Sequence, residues 1–326
     1  MVSGAGGLFH ETTKGRHAGT VAAMVDGGAE EAGDAVGGGD FTLTRRRLLA
    51  GGVALGVAGL AASCGLFDDD DGPERFSYGD APSQFSELWR PSGDPPWSTV
   101  VMIHGGSWSA STDRTLMKKV AKDLADHGHA VWNIEYRRLG EAGGGWPGTF
   151  ADVAAAIDDV AARPDDVPVD LDRLVVLGHS AGGQLALWAA ARAALPGGTV
   201  GAGPRVTPRS VVALAPVTDM ADCAEQGGLE GTCEQVEGGP PDQVRGHYAR
   251  TSPAELVPLG VPQRLFHGLI DTVVPIDQSR AYVQAATAAG DDVTLTEQAD
   301  ANHFTVLEPA TAAWRDVRAT VDRLLR

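Results

Sequence analysis

Apolar and polar positions follow two rhythms from about residue 76 onward. Thr99–Ile103 (TVVMI), Ala130–Tyr136, Leu174–Leu177, Ser210–Ala215, Gln263–His267 and Val293–Glu297 are short runs rich in branched apolar residues, and they predict strands. Phe76–Tyr78 and Ser86–Trp89 read as two short antiparallel strands at an edge. Between the strands the spacing turns helical: Thr115–His127, with Leu116, Val120 and Leu124 on one face, then Phe150–Ala162, Ala181–Leu195, Asp277–Ala289 and Pro309–Leu325. Gly128 and Pro164 stop the first two helices. Strands alternating with helices predict the α/β class, a mostly parallel sheet with helices on both faces. The Gly- and Glu-rich span 217–259 breaks the alternation and reads as an insertion over the sheet's edge, a short cap or lid.

The chain ahead of this pattern is different. Residues 1–43 are rich in Gly, Ala, Asp and Glu, lack periodicity and predict a disordered extension. Thr44-Arg45-Arg46-Arg47-Leu48-Leu49 then leads into the uncharged run Leu48–Ala62. A membrane-spanning helix needs about 20 apolar residues, and this run is shorter. Residues 44–63 resemble a twin-arginine signal peptide, which implies export. Leu60-Ala61-Ala62-Ser63-Cys64 is similar to a lipobox, which implies lipidation of Cys64 and a membrane-anchored or secreted protein. Residues 64–75 read as an acidic linker, with Asp68–Asp71 a solvated spacer rather than a calcium site.

Composition narrows the partners. The chain has 326 residues, 43% of them hydrophobic, enough for one large α/β domain. Its formal net charge of −17 repels phosphate backbones, so nucleic acid is not an expected partner. No C-x-x-C or H-E-x-x-H occurs, and no metal site is expected. Oligomeric state is not legible.

The candidate chemistry centres on "LVVLGHSAGG", where a predicted strand meets a predicted helix through G-x-S-x-G. So tight a turn demands small neighbours, here Gly178 and Gly182, and holds Ser180 at its apex. A serine hydroxyl needs a base, and the base needs an orienting carboxylate. His303, in "DANHFTV", and Asp271, in "LFHGLIDTVVP", both follow predicted strands, where sites in open α/β sheets collect. Asp300 is too close in sequence to His303 to orient it easily, and Asp277 reads as a helix cap. His267 reads as a packed strand residue, and His247 as a surface or lid residue.

Acyl transfer also needs N–H donors for a developing oxyanion. "VMIHGGSW" leaves a strand as a glycine loop, and Gly105, Gly106 and Ser107 are its candidates. One donor is expected from Ala181, the residue after the serine, and the other from Gly106 or Ser107. His104, Trp108 and His179 are expected to line the substrate pocket. Trp108, Trp132, Trp146 and Trp188 offer a weaker hint of an aromatic acid.

These residues resemble the α/β-hydrolase superfamily. His104–Trp108, "IEYRR" at Ile134–Arg138, "GHSAGG" and "HGLIDTVVPIDQS" look like its esterase, kynurenine-formamidase-like and prolyl-oligopeptidase-like branch. The resemblance covers residues 76–326 and implies an α/β-hydrolase fold with eight strands, no cofactor and an acyl-enzyme on Ser180. Thr272 departs from the family's usual second acid after Asp271.

The expectation is an exported serine hydrolase of carboxylic esters. An amidase, arylformamidase or peptidase would use the same triad on an amide, and a non-catalytic binding lipoprotein is the reading from another class. In an exported protein Cys223 and Cys233 are expected to pair as a disulfide, leaving Cys64 for lipid.

Overall fold

The computed structural model describes residues 72–163 and 167–326, all within the unit Phe67–Arg326. The extension 1–43, the signal-like segment 44–63, Cys64 and the acidic residues to 71 lie outside the described residues.

Eight strands form one sheet: β1 (Glu74–Ser77), β2 (Phe85–Trp89), β3 (Trp97–Ile103), β4 (Ala130–Ile134), β5 (Val169–His179), β6 (Ser210–Leu214), β7 (Gln263–Gly268) and β8 (Val293–Gln298). Their order is β1-β2-β4-β3-β5-β6-β7-β8. β2 runs antiparallel to both neighbours, and every other pairing is parallel. The helices are α1 (Lys118–Asp126), α2 (Gly148–Ala161), α3 (Ala181–Ala191), α4 (Met220–Glu225), α5 (Thr232–Glu237), α6 (Arg245–Thr251), α7 (Ile276–Ala288) and α8 (Ala312–Leu324). No helix among the described residues is long and apolar enough to cross a membrane.

The two faces of the sheet explain its continuous apolar runs. Val101 and Ile103 of β3 join a core with Phe150, Ile157, Leu185 and Trp188 from α2 and α3. Val100 and Met102, pointing the other way, join Val120, Leu124, Trp314 and Val317 from α1 and α8. With both faces covered, period-two alternation disappears and the strand reads as unbroken hydrophobicity. Each large side chain so buried contributes about 1.5–3 kcal/mol of transfer free energy.

Several boundaries differ from the expectation, among them the end of α3, at Ala191 rather than Leu195. β5 begins at Val169, five residues before the predicted start at Leu174, because the charged residues Asp170, Asp172 and Arg173 interrupt its apolar run. α1 is preceded by a 3-10 turn over Arg114–Met117. α8 starts after Thr311, whose hydroxyl accepts from Trp314 N at 3.1 Å, so Pro309 stays outside.

The insertion is a larger correction. It connects β6 to β7, which are interior strands, so it does not lie over the sheet's edge. It carries α4, α5 and α6, the first two joined by the Cys223–Cys233 disulfide. Closing so short a loop stabilises the fold by about 3 kcal/mol in the chain-entropy account. The insertion packs on α3, where Gln184 Nε2 donates to Thr251 O (2.7 Å) and Trp188 Nε1 to Arg250 O (3.0 Å). It also meets the loop before α2, through Trp146 N to Val236 O (2.7 Å), and α7, through Thr218 and Gln278. Helices of six or seven residues are too short to show a 3.6-residue period, which is why the sequence reads as loop.

Candidate active site

β5 ends at His179 and α3 begins at Ala181, leaving Ser180 alone at the turn with φ 56° and ψ −121°. A non-glycine residue in that region is strained and persists only where its surroundings hold it. They do so closely. A Cβ on Gly178 would lie 2.0 Å from Gly182 O, and one on Gly182 would lie 2.2 Å from Ile103 O. Ser180 N donates to Leu214 O at 2.8 Å, tying the turn to β6.

The loop after β3 passes directly beside this serine. A Cβ on Gly105 would lie 3.0 Å from Ser180 Cβ and 2.8 Å from His179 O, so only glycine permits the approach. Gly106 (φ 111°), Ser107 (φ 52°) and Trp108 (φ 53°) continue the loop with positive φ. The N–H groups of Gly106, Ser107 and Ala181 have no acceptor among the described residues. Ala181 N–H also opens α3, where the helix dipole favours negative charge.

The loops after β7 and β8 bring Asp271 and His303 together, with His303 Nδ1 2.7 Å from Asp271 Oδ2. Asp271 Oδ1 accepts from Val273 N (2.8 Å) and Val274 N (3.0 Å). Burial raises its carboxyl, but hydrogen bonds from His267 and His303, the charge of His303 and the amide of Val273 outweigh that and hold it well below the usual carboxylate range. With a carboxylate at Nδ1, His303 presents Nε2 as its basic nitrogen. Ser180 Oγ has no hydrogen-bond partner among the described residues, the His303 ring included.

Three residues expected in the substrate pocket lie within the protein interior. His104, Trp108 and His179 are all buried, and each bonds a group of the protein itself. His104 bonds Gly105 O through Nδ1 (2.7 Å) and Glu135 Oε1 through Nε2 (2.9 Å), and its ring stacks on Tyr136 at 4.4 Å. Trp108 Nε1 donates to Gln184 Oε1 (3.2 Å), linking the glycine loop to α3. His179 Nε2 donates to His303 O (2.8 Å) and so fixes the base from behind. Burial, and then the neighbouring His303, push His179 down to about 3, so it stays neutral. Of the other tryptophans, Trp132 and Trp188 are fully buried, and Trp146 is half-buried and stacked on His247 at 4.6 Å. No tryptophan-lined pocket forms around Trp108, Trp132 and Trp188.

The structure adds residues to which the sequence reading gave no role. Glu135, within IEYRR, accepts from His104, from Tyr136 N (3.1 Å) and from Arg114 N (3.1 Å). Tyr136 donates its hydroxyl to His104 O (2.8 Å). Their signal is a glutamate and a tyrosine directly after a largely apolar strand. His267 is packed, as expected, but its Nε2 also lies 3.3 Å from Asp271 Oδ2, and its i,i+4 spacing from Asp271 is the signal. Glu237 of α5 is fully buried, with no hydrogen-bond partner for either carboxyl oxygen among the described residues. Burial pushes it up to about 8, opposed by the nearby Thr251 hydroxyl, which itself donates to His247 O (2.9 Å). No group of three or more potential metal-ligating side chains occurs among the described residues.

The BD-FAE family profile matches residues 88–285, more than half of the chain. Esterase LipC of Mycobacterium tuberculosis is 28% identical over 246 residues, covering 72% of this chain. The chain spans 60% of the length of that curated relative. Among solved structures, a truncated carbohydrate esterase from gut microbiota superposes with a TM-score of 0.67 at 21% identity, covering 78% of this chain and 98% of that one. The Est2 esterase of Thermogutta terrifontis gives 0.63 at 20% identity, covering 78% of this chain and 91% of its own. Est2 has also been solved with propionate and with butyrate bound. The fold is that of the α/β-hydrolases, and the chain belongs to the BD-FAE family.

Proposed function

We propose that the protein hydrolyses carboxylic esters through an acyl-enzyme on Ser180. The observation that carries this reading is the strained Ser180 turn, set beside a hydrogen-bonded His303–Asp271 pair and a run of unpartnered amides. Ser180 Oγ attacks the ester carbonyl carbon while His303 Nε2 takes its proton. The carbonyl oxygen becomes an oxyanion, held by Ala181 N–H and by the N–H of Gly106 or Ser107. The tetrahedral intermediate collapses, the C–O bond to the alcohol breaks, and His303 returns its proton to the leaving oxygen. Water, deprotonated by His303, then attacks the acyl-enzyme and releases the acid and free Ser180. Asp271 holds the His303 ring and stabilises the imidazolium. The Ser180–His303 contact closes when substrate is bound.

Short acyl groups fit this reading, since a relative of the same fold has been solved with propionate and butyrate. The Cys223–Cys233 disulfide supports work in an oxidising compartment, and we propose export with lipidation at Cys64. Metabolic labelling with a fatty acid, lost in Cys64→Ser, is the expected sign of the anchor.

The test is hydrolysis of p-nitrophenyl acetate and butyrate by the full chain, beside Ser180→Ala. Turnover that falls by about 10⁴-fold or more in the variant is expected for a triad serine. No turnover, together with no labelling of Ser180 by a fluorophosphonate, would reject the reading.

A further inference from the structure

Among the described residues four large apolar side chains are exposed: Leu269 (45%), Ile270 (57%), Val273 (40%) and Phe304 (53%). Soluble surfaces usually scatter such residues singly. Here all four stand on the two loops that carry Asp271 and His303. Ile270 N donates to Ala301 O (3.2 Å), and the acid–base pair joins the loops again at 2.7 Å. The Phe304 ring meets the His303 ring edge-on at 5.1 Å and lies 6.0 Å from the His179 ring. These four are not displaced core, since Val274, Ala301 and Val306 of the same loops are already buried.

The chemistry gives the patch a direction. His303 protonates the leaving oxygen, so that oxygen comes within hydrogen-bond reach of Nε2. The carbonyl oxygen is committed to the other side, toward the glycine loop. The alcohol half of the ester therefore departs past His303, across Phe304 and Ile270. We propose that this rim is the alcohol-binding subsite, and that the preferred substrates are esters of apolar alcohols, alkyl or aryl, rather than of sugars. The proposal rests on the serine-hydrolase reading above. An alkyl or aryl group loses water favourably against the rim. A sugar would bring hydroxyls against side chains that offer them no hydrogen bond.

The experiment holds the acyl group at butyrate and varies the alcohol through methyl, butyl, hexyl, benzyl and glucosyl esters, using the full chain. Expected is a rise in kcat/KM along the alkyl series, at most about fourfold per methylene that reaches the rim, with the glucosyl ester poorest. Phe304→Ser and Ile270→Ser each lower the hexyl-to-methyl ratio by about tenfold, within the range of hydrophobic discrimination. In both variants the acetate-to-butyrate ratio for methyl esters keeps its native value, because the acyl side of the site is untouched. A flat alkyl series in the native protein, or a preference for the glucosyl ester, overturns the proposal while leaving the serine hydrolase standing. So does a variant that leaves the alcohol series unchanged and instead turns a sedimenting dimer into a monomer. Absence of both turnover and fluorophosphonate labelling removes the proposal and the underlying reading together.

Discussion

The two walls of the site are built on opposite principles. The wall made by the Ser180 turn and the glycine loop is largely buried, and its side chains are fastened to the protein around them: His104 to Gly105 O, Tyr136 to His104 O, Trp108 to the Gln184 side chain. The wall made by the Asp271 and His303 loops buries its acid–base pair together with Val274, Ala301 and Val306, and exposes Leu269, Ile270, Val273 and Phe304 around them. The first wall aims donors at a charge that exists only during reaction, and such donors work when they cannot reorganise. In the proposed reading the second admits and releases the alcohol, for which an open apolar rim suffices. In the proposed reading, one wall carries the chemistry and the other the selection.

That division is broken most severely at its centre. Ser180→Ala removes the nucleophile, and kcat is expected to fall by about 10⁴-fold or more with substrate binding retained. Asp271→Asn comes next, with a loss of about 10⁴-fold, because the amide no longer fixes the tautomer of His303. Its pH behaviour sharpens the point. The Asp271 carboxyl lies well below its unfolded value, so its contribution to stability is full above about pH 4 and is lost as pH falls through the lowered value. A native kcat/KM profile should therefore show no carboxylate limb between about pH 4 and pH 9. A carboxylate limb inside that window would contradict the hydrogen-bonding assigned to Asp271.

What the sequence reveals follows the same division. Ser180, Asp271 and His303 were legible because each sits at a strand end, where chain position alone predicts proximity. The central strands were legible because burial on two faces writes itself as an apolar run. His104, Trp108 and His179 sit at the expected turns, with their rings buried in the interior. Position in a turn does not say whether a ring faces a pocket or the backbone behind it. Glu135 acts through His104, 31 residues away, a relation that only the folded sheet creates, whereas His267 meets Asp271 four residues on, a spacing the sequence does carry. The short helices of 217–259 and the polar start of β5 lack the periodicity by which elements are recognised.

Glu135→Gln tests the fastened wall without touching its donors. It keeps the shape of the side chain but weakens the bond to His104, so the glycine loop is held less firmly. A fall of about 10- to 100-fold in kcat is expected, with KM changing little, since an oxyanion donor acts mainly in the transition state. A rise in KM at constant kcat would instead place Glu135 in substrate binding. His104→Gln should not add its full effect to that of Glu135→Gln, because the two share one contact.

The smallest effect concerns the insertion that covers α3. Glu237 is raised to about 8 by burial, so it is protonated in the folded protein across a range where the unfolded chain ionises it. Between about pH 4.5 and pH 8 the unfolded state thus binds fewer protons, and stability falls as pH rises. Above about pH 8 the carboxylate ionises within the fold and the loss levels off. Glu237→Gln removes this titration while keeping the side chain's shape. Its melting temperature should exceed that of the native protein by a few degrees at pH 8.5, at about 2–4 °C per kcal/mol for a domain of this size. At pH 4.5 the two should nearly coincide. A constant offset at both pH values would mean that Glu237 is paired in solution, and that the insertion is held on α3 by an ionised carboxylate rather than a neutral one.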